Sequence, residues 1–269
     1  YNKKETKELY ESTGGEYSGI GAVMSQNTET GVITLVQIYK DSPAEKAGLK
    51  ENDILYKVEG KEVTGKDLSK VVSKVKGEKG TTVELTVLRG EDAKEVTVTA
   101  TRDTVQAQTI EYKMMDDKIG YIRVSEFDTV TYDQYKEALD DLGKQGMTGL
   151  VVDLRNNPGG SLSTVCDMLD LMLPKGLIVY TEDKNGKKTE MKSDEEHQFT
   201  KPLAVLVNGN SASASEIYSG AIQDYGIGKI VGTQTYGKGV VQQIFDLDDG
   251  TAVKLTIAEY FTPKGRSIN

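Results

Sequence analysis

The distribution of apolar and polar positions divides the chain into two regions with different rhythms. From Tyr17 to Thr101, short β-branched runs stand between Gly, Asn, Asp and Pro punctuation: Gly21 to Met24, Val32 to Ile38, Asp53 to Val58, Thr82 to Leu88 and Glu95 to Ala100. Each reads as a strand. SPAEKAGL at 42–49 predicts a short helical turn, and the stretch from Gly65 to Val75 a helix with Leu68, Val71, Val72 and Val75 on one face. Beyond a connection at 102–117, in which a second sheet can begin, strands and longer helices follow one another. Ile119–Val124 reads as a strand, and Tyr132–Lys144 as a helix with Tyr135, Ala138, Leu139 and Leu142 inward. Gly149–Leu154 is almost entirely apolar, the pattern of a central strand covered on both faces. Leu162–Leu173 and Ala214–Asp224 are predicted helices; Leu177–Thr181, Leu203–Val207, Lys229–Gly232 and Thr251–Phe261 are predicted strands, with DKNGKK at 183–188 as a polar hairpin. Residues 1–12 have no strong apolar face and read as the end of a helix.

The candidate chemistry lies in NGNSASASEIYSGAIQDYGIGKIVGTQTYGKGVVQ at 208–242. A buried strand runs through small residues into a helix, a place where a hydroxyl can be presented with backbone N–H groups around it. A capping box requires Ser or Thr with Glu or Gln three residues on. Only Ser213, with Glu216, meets this; Ser211 and Ser215 do not. The box suits a plain helix cap as well as a nucleophile. Lys238, bracketed by Gly237 and Gly239 and followed by Val240, Val241 and Gln242, is the available base, because the single histidine, His197, lies in the polar stretch KSDEEHQF. A free lysine titrates near ~10.4, so base duty requires surroundings that favour the neutral amine. DLRNNPGGSL at 153–162 supplies a second glycine turn at a strand end, where an oxyanion donor is expected.

Together NGNSASASEI and TYGKGVVQ resemble the carboxy-terminal processing proteases, the tail-specific serine peptidases of the S41 type. The resemblance implies Ser213 as nucleophile, Lys238 as general base, Gln242 as the group orienting the lysine, and an oxyanion hole formed by the amide of Ala214 with that of Gly159 or Gly160. It also implies an α/β (α+β) core resembling the crotonase and Clp protease type, and action outside the cytoplasm, at the cell surface, in the periplasm or secreted. The stretch from Tyr17 to Thr101, with SGIGA at 18–22 and DSPAEKAGLKENDILYKVEGKEV, resembles a PDZ domain. Successive amides at Ile20, Gly21 and Ala22 suit a terminal carboxylate, and an added peptide strand would lie against Leu68, Val71 and Val72. The expected organisation is a helical piece at 1–13, a PDZ domain at 14–102 and a protease core at 103–269, with unfolded or tail-tagged proteins as partners. The rival readings are a non-catalytic peptide-binding scaffold and a hydrolase of small acyl substrates.

Composition changes little in this picture. The 269 residues carry a net charge of −9, which argues against nucleic acid as a partner, and no apolar run approaches the ~20 residues of a membrane span. Cys166 excludes an intrachain disulfide and sits on an apolar helix face with Val165, Leu169 and Met172, a buried thiol rather than a nucleophile. Arg89 reads as a solvated turn residue. No metal or cofactor is expected: His197 stands alone and no carboxylate cluster has ligand spacing. The start at Tyr1 and the end at Asn269 read as those of a segment of a longer protein, whose oligomeric state the sequence leaves open.

Overall fold

The computed structural model describes residues 1–194 and 196–269. The chain divides into two units, one of residues 16–107 and one of residues 1–15 with 108–269.

In the unit of residues 16–107 the strands are β1 (Glu16–Gly19), β2 (Ala22–Gln26), β3 (Ile33–Ile38), β4 (Ile54–Val58), β5 (Lys61–Glu62), β6 (Thr82–Arg89), β7 (Lys94–Thr101) and β8 (Asp103–Gln106), with helices α2 (Pro43–Lys46) and α3 (Leu68–Val75). The main sheet runs β2-β3-β4-β6-β7, with β5 on β4, so β2 is an edge. Ile33, Leu35, Leu55, Val83, Leu85 and Val87 form its core with Val71 and Val75 of α3. Proline at the first position of α2 supplies a fixed φ where no N–H partner is needed, and the Ser42 hydroxyl caps the turn by accepting from Glu45 N–H. The small strands β1 and β8 pair antiparallel; they were not legible in the sequence because each is four residues long with a mostly polar face. Arg89 is not a solvated turn residue. Its guanidinium makes two bonds to the buried Asp53 carboxylate, at 2.8 and 2.6 Å, and a third to the Gly48 carbonyl oxygen, and a buried carboxylate needs such a partner.

The other unit opens with α1 (Lys3–Gly14) and continues through β9 (Ile110–Met114), β10 (Ile119–Val124), α4 (Thr131–Lys144), β11 (Gly149–Asp153), α5 (Leu162–Asp170), β12 (Gly176–Asp183), β13 (Lys188–Ser193), β14 (Leu203–Val207), α6 (Ala214–Tyr225), β15 (Lys229–Gly232), β16 (Val240–Asp246) and β17 (Ala252–Phe261). A five-stranded sheet is ordered β15-β14-β11-β10-β9. Its first four strands are mutually parallel, with β9 antiparallel at the far edge. Parallel neighbours need crossover connections, and α4, α5 and α6 lie in those crossovers. Their apolar faces, with Tyr135, Leu142, Val165, Met168, Leu169, Ile217 and Ile222, close on Ile122, Val124, Val152 and Val205 of the sheet. A second sheet is ordered β13-β12-β17-β16. The strand β16 was missed in the sequence because VVQQIFD is half exposed and interrupted by polar residues. Among the described residues no helix is long and apolar enough to cross a membrane.

Four parallel strands in one sheet end on the same side. The segments that leave β10, β11, β14 and β15 therefore emerge side by side, and in an α/β sheet that carboxyl edge is where ligands bind. Those segments carry Asp128, the Gly159-Gly160 turn, Ser213 and Lys238.

Candidate active site

Ser213 stands at the head of α6 with φ 55° and ψ −112°. A non-glycine residue in that region is strained, and such strain persists only where surrounding contacts over-determine it. The contacts are on both sides of Ser213. Ser211 is fully buried, donates its hydroxyl to the Leu154 carbonyl oxygen at 2.7 Å and accepts from Asn208 N–H at 2.9 Å. The hydroxyl of Ser215, also fully buried, donates to the Asn157 carbonyl oxygen at 3.0 Å, and the Ala212 N–H donates to the same oxygen at 3.0 Å. The two outer serines thus bind the turn to the segment after β11. Ser213 alone of the three is partly exposed.

The capping box read from the sequence is present, and Glu216 does more than cap. Ser213 N–H donates to Glu216 Oε2 at 2.8 Å. The Glu216 N–H has a strong acceptor in the Ser213 carbonyl oxygen at 2.8 Å, so the serine hydroxyl is at most a second, weaker acceptor for it. The Glu216 carboxylate, buried at 3 % exposure, also accepts from Gly237 N–H at 2.6 Å and Lys238 N–H at 2.8 Å. One side chain therefore fastens the Lys238 segment to the helix that starts at the serine. The sequence showed the box but not this, since the partners at 237 and 238 are remote in the chain.

Ser213, Ala214, Gly160, Lys238 and Gln242 line one cleft of about 290 Å³. The Ala214 N–H, in the first turn of α6, has no intrahelical acceptor. Gly159 and Gly160 hold φ of 103° and 145°. A Cβ on Gly159 would lie 2.8 Å from Ser213 Cβ and 3.0 Å from Ala214 N, filling the space in front of that amide; one on Gly160 would lie 2.4 Å from the Phe127 carbonyl oxygen. Glycine is therefore required twice. The two amides differ: Gly159 N–H is taken by Asn157 Oδ1 at 2.8 Å, whereas Gly160 faces the cleft. Asn157, fully buried, also donates its side-chain amide to the Val124 carbonyl oxygen at 2.8 Å.

Tyr260, at 2 % exposure, lines the same cleft. Its hydroxyl donates to the Lys238 carbonyl oxygen and also meets the Ser213 side chain. A phenol has one hydrogen to give, so the serine hydroxyl is the donor in their contact. Burial pushes the Tyr260 hydroxyl well above its ordinary value, which keeps it protonated. The sequence offered only the alternation of β17 as a signal for it. Among the described residues neither Lys238 Nζ nor the Gln242 side chain has a hydrogen bond to Ser213 or to the other.

Elsewhere, Cys166 is buried against the core of its unit and its thiol is pushed up to about 12, chiefly by burial. His197 does not stand alone: ligand atoms of Asp170, Asp194 and His197 lie within 4.8 Å of one another, because Asp194 N–H donates to Asp170 Oδ1 at 2.7 Å and draws that segment onto the end of α5. Exposed acidic groups gather in this way without an ion, and the cluster is not part of the cleft. In the 16–107 unit, Ile20 and Val71 are both 2 % exposed and belong to the core, so Val71 has little surface to give a peptide, while Leu68 and Val72 are half-buried. Gly21 has φ 77° and its carbonyl accepts from Tyr39 N–H, as that of Ile20 does from Ala44 N–H.

Residues 118–269 match the model of peptidase family S41. The chain belongs to that family. Residues 34–89 match a PDZ domain. The carboxy-terminal processing protease CtpA of Bacillus subtilis is 38% identical over 269 residues, covering 100% of this chain and 57% of that protein. A probable CtpA-like serine protease of Staphylococcus epidermidis is also 38% identical, over 99% of this chain and 54% of that protein. The S41 chain thus spans about half the length of the curated relatives it matches. Among solved structures, a photosystem II D1 C-terminal processing protease is similar at 31% identity with TM-score 0.55, over 95% of this chain and 70% of that one. A putative S41 protease of Bacteroides fragilis, at 17% identity and TM-score 0.59 over 99% of this chain and 79% of that one, shares the fold. The α/β core with a PDZ unit expected from the sequence is therefore that of the S41 peptidases.

Proposed function

We propose that the chain carries a serine endoprotease centre in which Ser213 attacks a peptide carbonyl and Lys238 takes its proton, with Gln242 orienting the lysine. The observation that carries this is the strained, partly exposed Ser213 beside an uncapped Ala214 N–H in one cleft with a lysine. A hydroxyl used only as a cap would not require φ of 55°. The tetrahedral oxyanion is held by the amides of Ala214 and Gly160, since the Gly159 N–H is already taken up by Asn157. Each such donor contributes about 3 kcal/mol to transition-state stabilisation. In the resting cleft the serine hydroxyl turns to Tyr260, and a substrate that fills the cleft brings it to the lysine, as catalytic bonds tighten on substrate binding.

The PDZ unit, in this reading, captures the C-terminus of an unfolded or tail-tagged protein. Its edge strand β2 is open to an added strand next to α3, with Leu68 and Val72 as apolar contacts and the amides of Ile20, Gly21 and Ala22 for the carboxylate. A place of action outside the cytoplasm, which the family resemblance implies, is part of the same proposal. Degradation of an unfolded casein substrate tests the assignment. Ser213→Ala is expected to lower kcat/KM by about 10⁴-fold or more. Equal degradation by both forms would overturn the assignment, and no degradation by either would favour a non-catalytic peptide-binding scaffold.

A further inference from the structure

The cleft that holds Ser213 contains a carboxyl group that the proposed chemistry does not use. Asp128 lies in the segment leaving β10, at the same sheet edge as the other three, and lines the cleft with Ser213, Gly160 and Lys238. It is only 6 % exposed. Its backbone is engaged with α4: Asp128 N–H donates to Thr131 Oγ1 at 2.9 Å, and its carbonyl oxygen accepts from Thr131 N–H at 3.0 Å. Its carboxylate has no hydrogen-bond or ion-pair partner among the described residues, and α4, which starts at Thr131 after Val130 as its N-cap, has no side-chain cap bond. Helix capping therefore does not account for it. Burial, with the charge of Glu126 adding, pushes the Asp128 carboxyl up to about 7. A carboxylate buried without a partner is costly to keep, and this one belongs to a residue that lines the cleft.

A side chain in that condition is complemented by a cation arriving with the ligand. We propose that Asp128 forms a subsite of the cleft for a cationic substrate side chain, lysine or arginine, and so takes part in selecting which peptide bond reaches Ser213. The proposal rests on the reading of the cleft as a protease centre. A charge-assisted hydrogen bond in a partly dry cleft is worth about 1.5–3 kcal/mol, or roughly tenfold to a hundredfold in kcat/KM. The charged groups around it are Glu126 on its own segment and, lining the same cleft, Lys238 and Lys254. Glu126 lowers the proton affinity of nothing here; its negative charge favours a protonated Asp128 and, equally, an incoming cation.

The test uses peptides in which lysine is exchanged for norleucine, and arginine for citrulline, at successive positions around a cleaved bond. At one position lysine should be preferred over norleucine by about tenfold or more by the unaltered chain, and the ratio should fall towards one in Asp128→Asn. Because the carboxyl is raised to about 7, the ratio should grow as pH rises from about 6 to 8, as Asp128 becomes charged. A ratio near one at every position, or a preference that survives in Asp128→Asn, would overturn the proposal. If the unaltered chain cleaves none of the peptides, the Ser213 reading fails on its own. Anisotropy of labelled lysine and norleucine peptides on Ser213→Ala then decides the subsite, equal binding being the outcome that sinks it.

Discussion

The two halves of the candidate site are built to different standards. The Ser213 turn, 208–217, is tied into its unit by bonds on both sides of the serine: Ser211 to Leu154, Ser215 and Ala212 to Asn157, Ser213 to Glu216. The segment with Lys238, 235–246, leaves the parallel sheet and becomes an edge strand of the second sheet. Gln242, Gln243 and Phe245 on it are exposed. It is held near the serine by a few bonds: Tyr236 N–H to the Ser211 carbonyl oxygen at 3.0 Å, Glu216 to the amides of Gly237 and Lys238, Asn269 Oδ1 to Gly239 N–H at 2.8 Å, and the Tyr260 hydroxyl to the Lys238 carbonyl oxygen. A rigid half presents the oxygen and the amides at fixed positions. A less constrained half lets substrate binding adjust the position of the amine, which is consistent with the unmade bond between Lys238 and Ser213.

The sharpest way to break this contrast is to cut the link between the halves. In Glu216→Gln one terminal atom becomes an N–H donor facing the backbone donors Ser213, Gly237 and Lys238. We expect kcat/KM to fall by about 100-fold and stability by roughly 2 kcal/mol, measured by peptide hydrolysis and urea unfolding; unchanged turnover would show that the base segment is positioned by other contacts. Tyr260→Phe removes one bond of the less constrained half and the resting contact with the Ser213 hydroxyl. Loss of one hydrogen bond to the Lys238 carbonyl oxygen should lower kcat about 5- to 10-fold with KM unchanged, and turnover equal to or above that of the unaltered chain would reduce Tyr260 to a resting partner of the serine. Ser211→Ala touches only the rigid half. It leaves the Leu154 carbonyl oxygen and Asn208 N–H without their buried partner and should cost about 1–3 kcal/mol in stability, while kcat/KM stays within about threefold if the remaining bonds keep the turn in place.

Much of the fold was legible because its signals are local. The almost entirely apolar Gly149–Leu154 and the apolar Leu203–Val207 hold central strands, and the apolar faces of α4 and α6 pointed to their packing, since a covered strand or an amphipathic helix leaves a pattern in the sequence. Ser213 was separable from its neighbours by the capping box, again a matter of three residues. What was not legible has a common cause. Asp53 with Arg89, Glu216 with Gly237 and Lys238, Tyr260 with Lys238, and the place of Asp128 in the same cleft as Ser213 are relations between residues that meet only after strands have been ordered into sheets. Asp170, Asp194 and His197 met in the same way, against the expectation of an isolated histidine.

By itself the sequence determined that the chain is an α/β protein with a strand-rich region before it, that one serine stands at a helix start after a buried strand, and that a glycine-bracketed lysine and a second glycine turn are available to it. Local spacing is enough for that, because periodicity, caps and turns are set within a few residues. Only the tertiary structure decided that these pieces share a cleft, that Gly159 has given its amide to Asn157 while Gly160 faces that cleft, and that Glu216 joins the halves. Four parallel strands ending on one side of a sheet bring distant segments together, and that ordering is a property of the packed core rather than of any stretch of chain.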